Sequence, residues 1–545
     1  MHPARAISVV LCGACALGCG SPGAVTFDIH SPSQPLLDPF SDSRVSELLI
    51  KTASGTLIGA ASPTDDGAPL ALGPLAASVA PEDLVLSVLG GSDLLGMAKI
   101  RDVVIRPAMS VHYVAEVRKP FFFVGSALPD EPSAQNRTAP GEVLDPTDGR
   151  DLASALAAAA PPVTLPDPVG AAAVSSDGRF LFAGHPAGTA FSLAVLDTGS
   201  GQVIGEAPLA GAPGPIVTAA RDVALAVLLP DAKGALLYPD VAGLTTNPAA
   251  AQPIRVTLRD APRAAAFSPD GQKLYVLLGQ PHDLDPCGEQ AAPAPNSIEV
   301  IGPDGQSQSV LPLPGFAADL AVDPLTGRLI VSLPLLGKVV SLDPNDPTSP
   351  QMVLLDGETC PSALAVGSGD LFVVTADVAA DANSGAPSWS VRRLPASGGT
   401  AAALPFPQPV YEGAVNESQP RDGMVGFDLK VRPKFVYAYE LAVAPDASRL
   451  VFATRAHYRE TSDQSFDLIA GFTCQPTVDI VEYGRYSLDT RTGAASYQSR
   501  AQLVTSPAAG QPCVACSNAF FDISFTCPSV PGDRPAGLAA VFGGP

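Results

Sequence analysis

The sequence predicts an all-β protein, and three observations support this prediction. The 545 residues include 50 glycines and 57 prolines, residues that favour turns. Hydrophobic residues make up 46% of the chain and charged residues only 16%, a balance typical of many short strands. From about residue 169 one phrase recurs: an apolar strand, a turn built on Asp or Gly, and a second apolar strand. Repeats of four antiparallel strands, spaced about 40–55 residues apart, indicate a β-propeller, and we expect a small β-sandwich before it.

The N-terminus has the pattern of an export signal. His2 and Arg5 precede an uncharged run over residues 6–18, which is too short to span a bilayer but fits the core of a signal peptide. The sequence Ala-Leu-Gly-Cys, ending at Cys19, resembles the lipobox of bacterial lipoproteins. The family pattern has Leu three places before the cysteine, where this chain has Ala16, so an ordinary secretory signal is the alternative.

This resemblance implies how the N-terminus is processed. Residues 1–18 would be the signal peptide, Cys19 the lipidated residue, and residues 19–24 the tether. Gly20 after the cysteine implies an outer-membrane lipoprotein that faces the periplasm or the cell surface. Multiple acyl chains give stable anchoring, so the predicted contact with the membrane is the lipid anchor. The net charge of −22 and the lack of a basic stripe argue against a nucleic-acid partner.

Residues 25–108 are predicted to form the sandwich. Five short apolar segments read as strands, at residues 25–29, 47–51, 56–60, 84–89 and 94–100. A domain of this length is similar in size to an immunoglobulin domain. Because it follows Cys19 closely, we expect it to stand near the membrane and to hold the rest of the chain away from it. The alternative is that these strands form an irregular first blade.

Residues 109–545 are predicted to form a β-propeller with long insertions in the loops of its upper face. The clearest copies of the phrase lie at residues 171–182, 264–276, 320–331 and 441–452, and weaker copies lie at 217–225 and 363–372. Together they indicate six blades. The sequence predicts that residues 114–124 and a strand near residues 537–542 form a seventh blade, which pairs the two ends of the chain and closes the ring.

The phrase SPDGQKLYV at residues 268–276 resembles the repeats of bacterial lactonase-like and YVTN-type seven-bladed propellers. The resemblance covers roughly residues 110–545, and it implies a fold more specifically than an activity. A hydrolase of this kind would have a carboxylate-bound metal or a histidine pair in its channel. The inner strands of this chain read mostly as small and apolar residues, with Asp319 as an exception, which favours binding over hydrolysis.

The candidate functional residues lie at the upper face, where the second strand of each blade ends. The candidate binding residues are His185, His282 and His457. An even number of cysteines in an exported chain predicts disulfides, with all 15 pairings left open. A zinc site at the single CxxC motif, Cys513 to Cys516, is the alternative. The candidate disulfide cysteines are Cys287, Cys360, Cys474, Cys513, Cys516 and Cys527.

No catalytic residue, metal or cofactor is assigned from the sequence. The motifs GxSxG, HExxH and GxxxxGK do not occur. Asp377, Asp381 and Asn383 could supply oxygen ligands to calcium, but we expect them to be solvated side chains of a loop. We therefore predict a non-catalytic envelope lipoprotein that binds a protein or a glycan. The alternative is a lactonase-like hydrolase with its site at the upper mouth of the channel.

Overall fold

The computed structural model describes the following residues: 7–12, 24–31, 38–52, 56–61, 70–72, 81–91, 93–104, 111–124, 142–144, 171–198, 202–279, 296–346, 348–377, 388–404, 416–418, 428–432, 435–444, 447–458, 460–465, 473–476, 480–504, 514–517, 522–525 and 539–541.

The N-terminal part is a β-sandwich, as predicted. Its first sheet has the order β5-β1-β2-β8, formed by Leu70–Leu72 (β5), Ile7–Cys12 (β1), Ala24–His30 (β2) and Val111–Glu116 (β8). Its second sheet has the order β4-β3-β6-β7, formed by Leu57–Ala61 (β4), Glu47–Thr52 (β3), Glu82–Gly90 (β6) and Asp93–Val103 (β7). Phe27 and Ile29 from the first sheet pack on Leu48, Leu86 and Ile100 from the second in one buried core.

Six four-stranded antiparallel sheets follow, and we number them as blades 1 to 6. Their strands are Ala171–Val174 (β11), Phe180–Ala187 (β12), Ala190–Asp197 (β13) and Gln202–Leu209 (β14) in blade 1; Ile216–Thr218 (β15), Leu225–Leu229 (β16), Gly234–Tyr238 (β17) and Ile254–Thr257 (β18) in blade 2; Pro262–Phe267 (β19), Leu274–Leu278 (β20), Ser297–Ile301 (β21) and Ser307–Pro312 (β22) in blade 3; Leu320–Val322 (β23), Leu329–Leu333 (β24), Lys338–Leu342 (β25) and Met352–Leu355 (β26) in blade 4; Pro361–Gly367 (β27), Asp370–Asp377 (β28), Ser388–Pro395 (β29) and Ala402–Leu404 (β30) in blade 5; and Phe435–Val443 (β33), Arg449–Tyr458 (β34), Ile480–Asp489 (β37) and Ala495–Val504 (β38) in blade 6.

The repeated turn between the first and second strands has the predicted chemistry. In blade 3 the Ser268 hydroxyl donates to Asp270 Oδ1 at 2.5 Å and accepts from the Lys273 N–H at 2.9 Å, and Gly271 has φ 70°. In blade 1, Ser175, Asp177 and Gly178 repeat this arrangement. Glycine is favoured at this turn position because the φ there lies in the left-handed region.

Blade 7 joins the two ends of the propeller. It consists of Glu142–Leu144 (β10), Phe122–Val124 (β9) and Ala539–Val541 (β41), in the order β10-β9-β41. The innermost strands contact one another in the order β11, β15, β19, β23, β27, β33 and β41, and β41 contacts β11 again. The predicted seven-bladed ring, closed by pairing the chain ends, is therefore present.

One detail of blade 7 differs from the prediction. The sequence predicts that residues 114–124 all contribute to this blade, but the structure divides them. Val111–Glu116 pairs in parallel with β2 in the sandwich, and only Phe122–Val124 enters blade 7. The reason is packing, because Ala115 and Val117 are fully buried in the sandwich core.

The remaining regular elements are short. Among the described residues there is one α-helix, Val241–Thr246 (α1), capped by the Asp240 carboxylate, which accepts from the Gly243 N–H at 2.8 Å. The 3-10 helices are Pro39–Ser41, Ala220–Asp222, Pro248–Ala250 and Pro334–Leu336. Two three-stranded sheets contain Asn416–Ser418 (β31), Asp428–Arg432 (β32) and Glu460–Ser465 (β35), and Thr473–Pro476 (β36), Val514–Ser517 (β39) and Asp522–Phe525 (β40).

The sandwich packs directly on the propeller. Leu94 and Met97 of β7 form a buried cluster with Phe121 and with blade 1, where they contact the layer that includes Leu181 and Ala183. The opposite layer of blade 1 packs on blade 2, so the sandwich covers the side of blade 1 that faces blade 7. Side chains of the sandwich thus cover part of blade 1 beside the short strands of blade 7.

Ion pairs strengthen this contact. The Arg101 guanidinium donates to the Asp222 carboxylate at 2.9 Å, and Arg221 pairs with Asp83 at 2.9 Å. Arg491 of blade 6 lies 3.3 Å from Asp93 of β7. Arg221 and Asp222 lie in the first turn of blade 2, and Arg491 lies in the last turn of blade 6. We call the end of the ring that carries these turns the lower face.

Candidate functional site: the propeller channel

The innermost strands surround a channel with a volume of about 550 Å³. Most of its lining consists of small or apolar side chains, such as Ala173, Ala265 and Val322. Among the described residues that line it, the charged ones are Arg263 of blade 3, Asp319 of blade 4 and Glu440 of blade 6. A few polar groups in an otherwise apolar cavity are typical of a ligand site.

Asp319 and Glu440 occupy the same position of the repeat. The Asp319 carbonyl accepts from the Ser332 N–H, and Glu440 pairs with Ala453. In the second strand of each blade, this partner lies three residues after the first residue that pairs with the innermost strand. In blade 3 the corresponding inner residue is Ala264, which pairs with Leu277. Two blades therefore place a carboxylate at a level of the channel where another has a methyl group.

Asp319 joins two neighbouring blades. Its Oδ1 accepts from its own neighbour, the Leu320 N–H, at 2.8 Å, and its Oδ2 accepts from the Leu364 N–H of blade 5, also at 2.8 Å. Burial raises the pKa of this carboxyl to about 6, although the two N–H groups and Arg263 act in the opposite direction. Asp319 thus connects blades 4 and 5 through a carboxyl whose pKa is raised by burial.

Arg263 is placed by an irregularity in its strand. The pairing of β19 with β20 shifts register between Pro262 and Ala264, so Arg263 is the extra residue of a β-bulge. Its guanidinium lies over the Phe316 ring, 4.6 Å from the ring centroid. A cation over an aromatic face is attracted by the ring quadrupole, which helps to fix the charge at the channel wall.

Glu440 also follows a register shift, between Ala438 and Glu440 in β33. The Ala438 N–H donates to the Ser362 hydroxyl of blade 5 at 3.2 Å, which fixes the strand at this point. The sequence prediction singled out Asp319 alone. Aligning the repeats from the first turn would have placed Glu440 in the same column, but no local pattern indicates the bulge that positions Arg263.

Two of the histidines predicted as binding residues lie on second strands of their blades, next to the innermost strands. His185 lies within β12 and is 6% exposed; its Nδ1 is 2.9 Å from the Pro186 carbonyl and its Nε2 is 3.5 Å from Glu206 Oε1. His457 lies in β34, paired with Phe435 and Val481. His282 lies outside the described residues.

The predicted disulfide cysteines are only partly described. Cys360, before β27, is 3% exposed and disulfide-bonded. Cys474 of β36 and Cys516 of β39 face each other directly in an antiparallel ladder. The remaining candidates, and the predicted lipidation site, lie outside the described residues: Cys19, Cys287, Cys513 and Cys527.

Two further features bear on the predicted chemistry. Across the described residues, no three His, Cys, Asp or Glu side chains come together as metal ligands. Within the same part of the chain, no helix has the length and apolar character needed to cross a bilayer.

Comparison with known proteins finds only distant structural likenesses. The sequence matches no protein-family model and no curated protein. Among solved structures, hydrazine synthase of Kuenenia stuttgartiensis is 16% identical, covering 53% of this chain and 76% of its own, with a TM-score of 0.38. A protein from Lactobacillus plantarum is 12% identical, covering 70% and 95%, with a TM-score of 0.39. These likenesses carry no argument about ligand or activity.

Proposed function

We propose that this chain is an exported lipoprotein whose propeller binds a protein or a glycan of the cell envelope through its upper face. The observation that supports this proposal is the position of the sandwich. It packs on the lower turns of blade 2 and blade 6 through Asp222 and Arg491. A partner would therefore approach from the opposite end, where the connections between second and third strands emerge.

The upper end of blade 4 has features of a recognition surface. Leu335 and Leu336, between β24 and β25, are 39% and 46% exposed. Exposed neighbouring aliphatic side chains are favourable contact points for a partner. Residues 280–295 and 378–387 connect second to third strands in blades 3 and 5, and long connections on a rigid scaffold commonly carry recognition.

Site-specific photocrosslinking in cells tests this surface. A photoreactive residue at Leu336 would report the upper face, and one at Leu325, which is 69% exposed in the lower turn of the same blade, is the matched control. We expect one discrete adduct from position 336 and none from position 325. No adduct from position 336, or the same adduct from both positions, would contradict the proposal.

The anchor is the second part of the proposal. Lipidation of Cys19 would hold the mature chain in the outer membrane, and processing there would remove β1 from between β2 and β5. We expect Cys19→Ala to release the protein from membrane fractions, and mass spectrometry of the native protein to show an acylated residue 19 at its N-terminus. Unchanged membrane retention of the variant would count against the anchor.

We also propose a disulfide between Cys474 and Cys516. Directly opposed residues in an antiparallel pair have Cα atoms about 4.5–5.5 Å apart, within the range that a disulfide spans. Oxidation would transfer two electrons and two protons from the thiols to an exchanging protein disulfide of the exported compartment. Peptide mapping without reduction should recover the two cysteines in one linked peptide.

A second candidate is a lactonase-like hydrolase, and one observation favours it. The Asp319 carboxyl lines the channel with a pKa raised by burial to about 6, which suits a group that transfers protons. Metal analysis and a screen with lactones and esters separate the two candidates. Turnover that is lost in Asp319→Asn would establish the hydrolase and overturn the non-catalytic assignment.

A further inference from the structure

The channel has charged groups of both signs within one small cavity. Arg263 lies on the wall of blade 3, and Asp319 and Glu440 lie on blades 4 and 6. Blades 3 and 4 are neighbours, and the Arg263 charge lowers the proton affinity of Asp319. The guanidinium and the nearer carboxylate therefore lie close enough to influence each other, with the second carboxylate farther around the ring.

The other lining groups offer little compensation to a bound charge. Around these three residues the wall is formed mainly by alanine, valine, leucine and proline. Charges interact more strongly in such surroundings than in water. A ligand with only a carboxylate would meet two side-chain carboxylates, and a ligand with only an amine would meet the guanidinium. A ligand that carries both groups matches all three residues.

The size of the cavity limits the ligand. A volume of about 550 Å³ lies within the usual range for small-molecule sites, and it exceeds what a single ion needs. The Asp319 carboxylate accepts a backbone hydrogen bond from Leu364, and strand pairing places Arg263 and Glu440, so the site is largely formed before a ligand arrives.

We infer that the channel binds a small zwitterion, an amino acid or a dipeptide, with its carboxylate toward Arg263 and its ammonium group toward Asp319 and Glu440. This inference rests on the proposed binding function and names a ligand class for the same end of the molecule. Free amino acids and short peptides share this chemistry, and the difference in their lengths separates them experimentally.

Isothermal titration of the full chain carrying Cys19→Ala tests the inference. The probes are L-alanine and glycylglycine, with ethylamine and propionate as analogues that each lack one charge. We expect at least one zwitterion to bind, and each single-charge analogue to bind at least tenfold more weakly. No binding of either zwitterion, or equal affinity for propionate and L-alanine, would overturn the inference.

Two variants assign the charges. Arg263→Gln should weaken zwitterion binding at least tenfold and should strengthen ethylamine binding, because it removes a like charge, whereas Glu440→Gln should weaken the binding of both. Arg263→Lys keeps the charge and should restore part of the affinity. Lys233→Gln, an exposed charge that pairs with Asp260, is the control and should change nothing. If neither zwitterion binds but position 336 still gives its adduct, this inference alone is rejected. If a zwitterion binds but position 336 gives no adduct, only the proposed surface is rejected.

Discussion

Blade 3 and blade 7 show two ways to build the same unit. Blade 3 comes from one continuous segment, and each of its strands pairs with the next strand along the chain. Blade 7 has three short strands that come from distant parts of the chain, and the sandwich packs beside it against blade 1. The difference teaches that a blade can be specified by one local segment, whereas the blade that closes this ring depends on segments that are distant in the sequence.

The largest expected effect comes from removing the buried aromatic ring of blade 7. Phe122 is 1% exposed and packs on Ala442, Ala444 and Val451 of blade 6. Phe122→Ala should cost about 3–5 kcal/mol of stability, because it removes a large buried side chain and leaves a cavity. Phe372→Ala in blade 5 is the matched control, since Phe372 is also fully buried.

The two substitutions should differ in their effect on β41. Urea denaturation should give similar losses of stability, but limited proteolysis should cut near β41 only in Phe122→Ala, because β9 holds that strand. If both variants expose β41 equally, blade 7 is no more dependent on its neighbours than a continuous blade.

The contact with the sandwich should have the next largest effect. Leu94 is 4% exposed and belongs to the cluster that covers blade 1. Leu94→Ala should cost about 2–4 kcal/mol, measured by chemical denaturation. Leu57→Ala, at a sandwich residue that is 57% exposed, should change stability by less than about 0.5 kcal/mol. Equal effects would mean that the sandwich does not support the ring.

Continuous blades are also joined to one another by polar groups. The connection made by Asp319 can be tested by measuring how stability depends on pH. Its pKa is raised by burial from 3.8 to about 6, so between these values the folded protein keeps a proton that the unfolded chain has released. This contribution makes the protein less stable as pH rises from about 4 to about 6, by up to about 3 kcal/mol.

Asp319→Asn removes that titration. Stability measured by urea denaturation at several pH values should therefore shift in favour of the variant as pH increases across this window. The absolute stability of the variant is reduced at every pH, because an amide has one oxygen for the two N–H groups that Asp319 accepts. Parallel pH profiles for the two proteins would show that Asp319 does not titrate there.

The smallest expected effect concerns the repeated turn. Blade 6 has Ala447 with φ 57°, whereas blades 1 and 3 have Gly178 and Gly271 with φ 70°. Ala447→Gly relieves left-handed strain and should stabilise blade 6 by about 0.5 kcal/mol. Gly271→Ala should destabilise the chain by more than this, since a new Cβ would lie 2.3 Å from Val223 Cγ2. Thermal unfolding of both variants checks the sign.

Much of the fold follows from the sequence because blades are local. The phrases at residues 171–182 and 264–276 predict strand, turn and strand, and the structure has them there. The division of residues 111–124 between two domains could not be predicted, because it depends on which distant core buries Ala115 and Phe122.

The candidate site was harder to predict for the same physical reason. Asp319 was recognised as a charge on an apolar strand, but its connection to Leu364 requires a neighbouring blade. The bulge that places Arg263 is a property of the pairing of β19 with β20 and has no signature in either strand alone.

The pairing of Phe122 with Val541 has a consequence for the order of events during biogenesis. The two residues are separated by more than 400 positions, so most of the propeller must be synthesised before its first and last strands meet. Blades that are complete in themselves are able to form earlier. Until β41 arrives, β9 has an unpaired edge and the apolar face of blade 6 that packs on Phe122 lacks the rest of its cover. The newly made chain is therefore exposed to aggregation until the ring closes.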